Sequence, residues 1–390
     1  MLIRCAFRAQ TITLHRRKYA TDALRKGSKV VVAMSGGVDS SVTASLLAEK
    51  DIDLSAVFMR NWDERDEAAS DTGCQWEKDW EDVRRVCRML DIPVKMVDLT
   101  QQYWTRVFEP SLLDWTAGVT PNPDIACNKE IKFQALIDAT LEGPDGIIAT
   151  GHYAGTNAIE IAPGTLRHAL LRPVDTHKDQ TYFLSSVNQK QLSQAIFPLA
   201  EYTKEQVRDL ARTRKLPTAA RPDSVGLCFV GQKERRIDKF LSHYLTPHPG
   251  PITDPQGKVL GEHQGLWTYT IGQCARIKGQ PQKLFVARKD AGQNSIVVVP
   301  RHHPALFSTS AQTNQWHWIM DDPPPDSSTD RKFGAKICYR EPPYPCQISN
   351  RENGLEIVFD HPIRGITPGQ YAVLYDGNVC LGNGKISQAN

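Results

Sequence analysis

Residues 30–41 read Val30-Val31-Val32-Ala33-Met34-Ser35-Gly36-Gly37-Val38-Asp39-Ser40-Ser41. The apolar run Val30–Met34 is rich in β-branched residues, as a buried parallel strand is, and Asp39–Glu49 has the pattern of a helix. Between them, Gly36 and Gly37 let the backbone approach an anion closely. The small hydroxyls add donors, and the helix behind points its unbonded N–H groups and positive dipole end at the same spot. No lysine follows in Gly-Lys-Ser/Thr order, so this is not a Walker loop. Asp39 would repel a bare phosphate, and a bridging Mg2+ would reconcile the two. The same residues also read as a serine–glycine turn capping an ordinary helix.

Outward from this loop the pattern repeats. Ser55–Met59, Val94–Val97 and Ile147–Thr150 read as further buried strands, and Trp76–Leu90 and Asn128–Leu141 as helices between them. Such alternation predicts an α/β fold with a doubly wound parallel sheet, whose ligands sit at the carboxyl ends of the strands. Residues 28–194 form this unit, with a segment near 217–233 returning to it. Residues 195–246 read as a small helical domain, Thr203–Arg214 being its clearest amphipathic helix. After Pro247-His248-Pro249-Gly250-Pro251 come short strands separated by glycine and proline turns, predicting a β-barrel over 247–390.

The 390 residues are 40% hydrophobic and 23% charged, with no apolar run long enough to span a bilayer. Residues 1–27 read as an organelle transit segment: Arg4, Arg8, Arg16, Arg17 and Lys18 precede the first acid, Asp22. Arg17-Lys18-Tyr19-Ala20 resembles a mitochondrial processing site, which predicts the matrix as destination. A basic arm that touches RNA is the other reading. Removing residues 1–19, which hold five Lys/Arg and no acid, takes the net charge from +3 to −2. Nucleic acid would therefore be met by a local patch rather than by bulk charge.

Nine cysteines are scattered without a Cys-x-x-Cys pair, so neither a zinc nor an iron–sulfur site is expected. Cys127 follows an extended Thr120-Pro121-Asn122-Pro123-Asp124 segment and precedes a helix read as starting at Asn128. That places its thiol at a helix N-terminus near Lys129, with Asp124 three residues away to move protons. Cys228 lies among apolar neighbours in Asp223-Ser224-Val225-Gly226-Leu227-Cys228-Phe229. It reads either as a small core side chain or as a carrier thiol on a glycine-flanked loop.

The SGGVDSS loop after a buried strand resembles the PP-loop of ATP pyrophosphatases, of the adenine nucleotide alpha hydrolase-like fold. Together with VFMRNW, TPNPDIACNKEIKF, ATGHYA, KDQTYFL, DSVGLCFVG, GEHQGL and TPGQYAVLYDG, it makes the chain resemble the tRNA-specific 2-thiouridylases from about Lys29 to the C-terminus. The resemblance implies that Ala33, Met34, Ser35, Gly36, Gly37, Val38, Asp39 and Ser40 hold ATP with Mg2+, with Met59 and Gly151 at the adenine side. It implies that Asn122, Pro123 and Asp124 face the target base. Cys127 is then the nucleophile, Asp124 a base, and Cys228 the bearer of a persulfide supplied by a sulfur-relay donor downstream of a cysteine desulfurase. His152, Lys178, Asp179, Gln180 and Gln370 would contact the anticodon stem-loop of a mitochondrial tRNA, with Cys338 and Tyr339 reaching it from the β domain. Two departures stand out: Cys338 replaces a usual arginine, and Cys274-Ala275 replaces a common basic pair. Rival classes are an amide-forming ligase on the same loop, active without either cysteine, and a silent tRNA-binding protein, without ATP turnover.

Overall fold

β1 (Lys29–Met34) buries Val30, Val32 and Met34 and runs parallel to β2 (Asp53–Arg60), which pairs in parallel with β3 (Val94–Asp98). β4 (Ile147–Thr150) lies along the other side of β1, also parallel. The order β3-β2-β1-β4 therefore reverses direction of growth between β1 and β4, and a crevice opens there at the strands' carboxyl ends. α1 (Val38–Ala48) and α2 (Gln75–Leu90) provide the first crossovers. The computed structural model describes residues 24–62, 75–162, 165–223, 237–323 and 331–390. Nearly all of the transit reading, and Cys228, lie outside them. No helix among the described residues is long and apolar enough to cross a membrane.

Helical residues 100–116 and 123–140 each contain a π-type stretch, at Trp104–Phe108 and Cys127–Ala135. Such wide turns carry one extra residue and gather at functional positions. The second helix starts earlier than the sequence suggests. Pro123 takes its first position, and the Asn122 side chain accepts from the Ile125 N–H at 3.3 Å. Proline at N1 and asparagine at N-cap are a natural start. Cys127 is therefore inside the helix, not at its N-terminus, and the dipole argument for its thiolate falls away.

After β4 a hairpin, β5 (Gly155–Ala162) and β6 (Thr165–Leu171), leaves the parallel sheet. β7 (Ala195–Ile196) returns beside β4 as its fifth strand. α3 (Lys204–Thr213) then packs Val207 and Ala211 against Val38 and Val42 of α1. Both β7 and α3, which follow residue 194, thus pack on the parallel-sheet unit. The β region contains the expected C-terminal barrel, preceded by a smaller sheet. That sheet has four strands, β8 (Gly250–Thr253), β9 (Val259–His263), β10 (Leu284–Asp290) and β11 (Ser295–Pro300), closed over Ile252, Val286, Ile296 and Val298.

The last six strands are β12 (Phe307–Trp318), β13 (Phe333–Lys336), β14 (Tyr344–Arg351), β15 (Gly354–Arg364), β16 (Tyr371–Asp376) and β17 (Val379–Ala389). They form an antiparallel barrel closed by β12 pairing with β17. Alternation puts Cys346, Ile348, Leu355, Ile357 and Phe359 inside. β6 adds to the barrel through Leu170 and Leu171 against Cys380 and Val379, so the hairpin stitches the first unit to the last. Hairpin pairings of this kind leave no local sequence signal, because the partner strand is some 200 residues away.

Candidate active site

The phosphate loop sits at the switch point. Its hydroxyls shape the turn: Ser35 N–H donates to Ser40 Oγ at 3.2 Å, and Ser41 Oγ donates to the Gly37 carbonyl at 2.8 Å. Gly36 has φ +79°, and a Cβ there would meet the Asp79 backbone at 2.8–2.9 Å. α2 thus presses directly on the loop. Gly151, just past β4, has the same constraint from the other side, since a Cβ would lie 2.8 Å from the Ser40 nitrogen. No side chain caps α1, whose first N–H groups face the crevice left between these strands. Ala33 is half-buried while Met34 and Val38 are buried. Met59, the last residue but one of β2, packs against the core around Val57.

Asp39 is held rather than poised. Lys204 Nζ lies 2.7 and 2.8 Å from its two carboxylate oxygens, and Tyr153 Oη donates to one of them at 2.9 Å. Lys204 also reaches Asp223 at 3.0 Å, where Lys178 (2.7 Å) and Arg208 converge. Burial would raise the Asp223 pKa, but hydrogen bonds from Lys178 and Lys204 and their charges outweigh it and hold the carboxyl well below its usual range. Arg221 pairs with Asp79 and, at 2.6 Å, with Asp82 on α2. An uncapped helix beside several lysines and arginines fits polyphosphate. With the ammonium of Lys204 on both of its oxygens Asp39 is already neutralised, so a Mg2+ contact there requires that ammonium to move away. Among the described residues no cluster of three or more metal-ligating side chains occurs.

The thiol side of the crevice joins this loop through Gly151 and His152. The His152 ring lies 5.9 Å from Phe133, on the Cys127 helix, and 6.2 Å from Phe197. Its Nδ1 is 2.7 Å from Thr150 Oγ1, and burial, reinforced by the charge of Lys132, holds its pKa well below the usual histidine value. Burial raises the Asp124 pKa against the opposing charge of Lys132. A carboxyl shifted upward suits proton transfer. Cys127 is 2% exposed, one helical turn from Asp124, while the expected neighbour Lys129 points outward to Glu130 at 3.2 Å. No described cysteine is disulfide-bonded.

Several residues expected at tRNA make contacts that join parts of the protein. Gln370, from the barrel, donates to the carbonyls of Thr120 (2.9 Å) and Pro121 (2.8 Å) and accepts from Asn122 Nδ2 at 3.0 Å. It clamps the segment that leads into Pro123, Asp124 and Cys127. Asp179 is 1% exposed, ion-paired to Arg172 at 2.7 Å and to Lys336 of β13 at 3.3 Å. Its carboxylate is therefore spent inside the fold. Gln180 Oε1 accepts from the Tyr153 N–H at 2.9 Å. Cys338 is exposed, and the ring of Tyr339, beside it, packs at a tilt against Phe183 with centroids 4.4 Å apart. The sequence reading missed Lys204, Tyr153, Lys132 and Lys289. The Thr203–Gln206 capping box announces where α3 starts, but nothing local says which loop Lys204 meets.

A glycine-serine loop at the switch point of a parallel sheet, ringed by basic residues and lacking a Walker lysine, places the chain among the PP-loop ATP pyrophosphatases. The models that match are the tRNA methyl transferase HUP domain over residues 28–232, the tRNA methyl transferase PRC-barrel domain over 238–300 and the aminomethyltransferase beta-barrel domain over 308–386. The chain is 43% identical to the tRNA-specific 2-thiouridylase MnmA of Alkaliphilus oremlandii over 369 residues, covering 93% of this chain and 98% of that one. It is 44% identical to that of Thiobacillus denitrificans over 367 residues, covering 92% and 99%. The chain belongs to the tRNA-specific 2-thiouridylase family, and it is an enzyme of that sulfurtransferase class. Among solved structures it is similar to the U34-tRNA thiolase NcsA of Methanococcus maripaludis (TM-score 0.35, 17% identity, 57% of this chain and 68% of that one). A 4-thiouridine synthetase–RNA complex with bound ATP is similar too (TM-score 0.31, 16% identity, 55% and 50%).

Proposed function

We propose that this enzyme converts the wobble uridine of mitochondrial tRNAs, those for Lys, Glu and Gln by family resemblance, into 2-thiouridine. ATP lies along the α1 N-terminus with magnesium entering as part of the nucleotide. The uridine C2 oxygen attacks the α-phosphorus, and the bond to the β-phosphate breaks as pyrophosphate leaves; the loop's backbone donors face that charge. A persulfide on Cys228, loaded by an upstream donor, then attacks C2 and AMP departs. Cys127 attacks the inner sulfur of the resulting linkage and releases 2-thiouridine; alternatively it attacks the persulfide first and sends sulfide to C2. Either branch ends in a Cys127–Cys228 disulfide that an external dithiol must reduce. Asp124 takes the proton from the Cys127 thiol.

The observation that carries this reading is continuity. Gly151 touches the phosphate loop, and His152, the next residue, touches the helix that bears Cys127. The nucleotide loop and the thiol-bearing helix are therefore neighbours. The first 27 residues would deliver the enzyme to the mitochondrial matrix. Nucleoside mass spectrometry of tRNA treated with Cys127→Ser or Cys228→Ser is expected to find no 2-thiouridine, with tRNA affinity nearly unchanged. Normal thiolation by either variant contradicts the proposal, and unchanged 2-thiouridine in mitochondrial tRNA from cells lacking the protein contradicts its location.

A further inference from the structure

The phosphate loop has no lysine of its own, yet a lysine stands over it. Lys204 opens α3, 165 residues downstream of Asp39, and two features fix its place there. Val207 and Ala211 pack into the apolar cluster that also holds Val38 and Val42, so α3 lies against α1. The Thr203–Gln206 capping box and the bond from the Lys204 N–H to Asp175 at 2.9 Å set where the helix begins. The side chain is 13% exposed, and its ammonium lies 5.9 Å from the Tyr153 ring centre.

The ammonium is shared between two carboxylates, Asp39 in the first turn of α1 and Asp223 beyond it. Asp223 does not depend on it, because Lys178 and Arg208 also pair there. A triphosphate seated on the first turn of α1 brings far more negative charge than one carboxylate, within reach of the same ammonium. Lys204 can therefore change partners without leaving Asp223 unpaired.

We propose that Lys204 is the cation that meets the β- and γ-phosphates of ATP, moving from Asp39 to the pyrophosphate as it leaves. The assignment rests on the adenylation reading above. In that step the C2 oxygen bonds to the α-phosphorus, the electron pair of the broken bond stays on pyrophosphate, and the uridine N3 proton passes to solvent. Lys204 balances the charge gained by the leaving group, and Asp39 holds the ammonium in place between turnovers.

The test uses the full-length protein, ATP and substrate tRNA, with product inhibition by inorganic pyrophosphate and by AMP measured side by side. Lys204→Met is expected to lower kcat for pyrophosphate release about 100-fold, with the KM for tRNA changing less than about threefold. Its inhibition constant for pyrophosphate should rise about tenfold or more while that for AMP stays within about threefold, and Lys204→Arg should recover most of the difference. Loss of AMP and pyrophosphate inhibition in parallel, or turnover within about threefold of wild type, overturns the assignment. Should the methionine variant not fold, Lys204→Gln, which keeps a hydrogen bond to Asp39, gives the same readout. A wild-type enzyme that releases no pyrophosphate on any tRNA overturns the adenylation reading and this assignment together. Failure in the variants alone overturns only the role of Lys204.

Discussion

At the scale of single residues, Gly36 shows how tightly the phosphate loop is specified. Alanine there must adopt a left-handed backbone, which costs about 1–2 kcal/mol, and its methyl would push on the Asp79 backbone. Gly36→Ala is expected to lower stability by at least about 2 kcal/mol in urea denaturation and to abolish pyrophosphate release. A variant with wild-type stability and turnover would show that the loop has slack. This loop was legible in sequence because its chemistry is local: strand, two glycines, hydroxyls and helix follow one another without a break. Lys204 was not, because its link to Asp39 exists only once α3 packs on α1. The same holds for the environment of Cys127. Pro123 and Asn122 start the helix earlier than the sequence suggests, so the Cys127 thiol lies buried within the helix rather than at its end.

At the scale of elements, the segment 118–122 is held from both β units. Gln370 of the barrel bonds two of its carbonyls, and Lys289 of β10 bonds Thr120 Oγ1 and the Tyr269 carbonyl, each at 3.0 Å. Gln370→Ala leaves those backbone acceptors without their partner, at a cost of about 1–3 kcal/mol. It should also lower the rate of thiolation more than it changes the KM for ATP; a loss confined to ATP binding would place Gln370 elsewhere in the scheme. Burial pushes the Lys289 pKa down from 10.5 to about 8. Between those values the unfolded chain binds more proton than the folded one, so this residue makes stability rise with pH across the window. Urea midpoints measured from pH 8 to 10 should rise less steeply in Lys289→Met than in wild type. An identical slope would remove Lys289 as the source. Neither clamp was visible beforehand, since the residues concerned come from segments far apart in the chain.

At the scale of the whole molecule, the barrel and the nucleotide-binding unit are joined by sheet pairing and by charge. β6 extends the barrel at β17, and Asp179 lies buried between Arg172 and Lys336. Lys336→Met leaves that carboxylate short of one cation in a buried setting, and a loss of roughly 3 kcal/mol is expected by urea denaturation. A loss below about 1 kcal/mol would mean that Arg172 alone satisfies Asp179. The alternating pattern of strands and helices announced the α/β unit, and the turn-rich C-terminal third announced its β character. The division of that third into a four-stranded sheet and a closed barrel depends on long-range pairing, which single-strand patterns do not encode. This assembly holds the glycine-serine loop and the helix that bears Cys127 side by side, through Gly151 and His152. The reaction assigned to it stands on the path of one oxygen atom. Substrate tRNA carrying oxygen-18 at C2 of the wobble uridine, turned over with unlabelled ATP and analysed by mass spectrometry, should place the label in the phosphate of AMP in step with 2-thiouridine formed. AMP whose new oxygen comes from water, with 2-thiouridine still produced, would contradict activation of the base by adenylation.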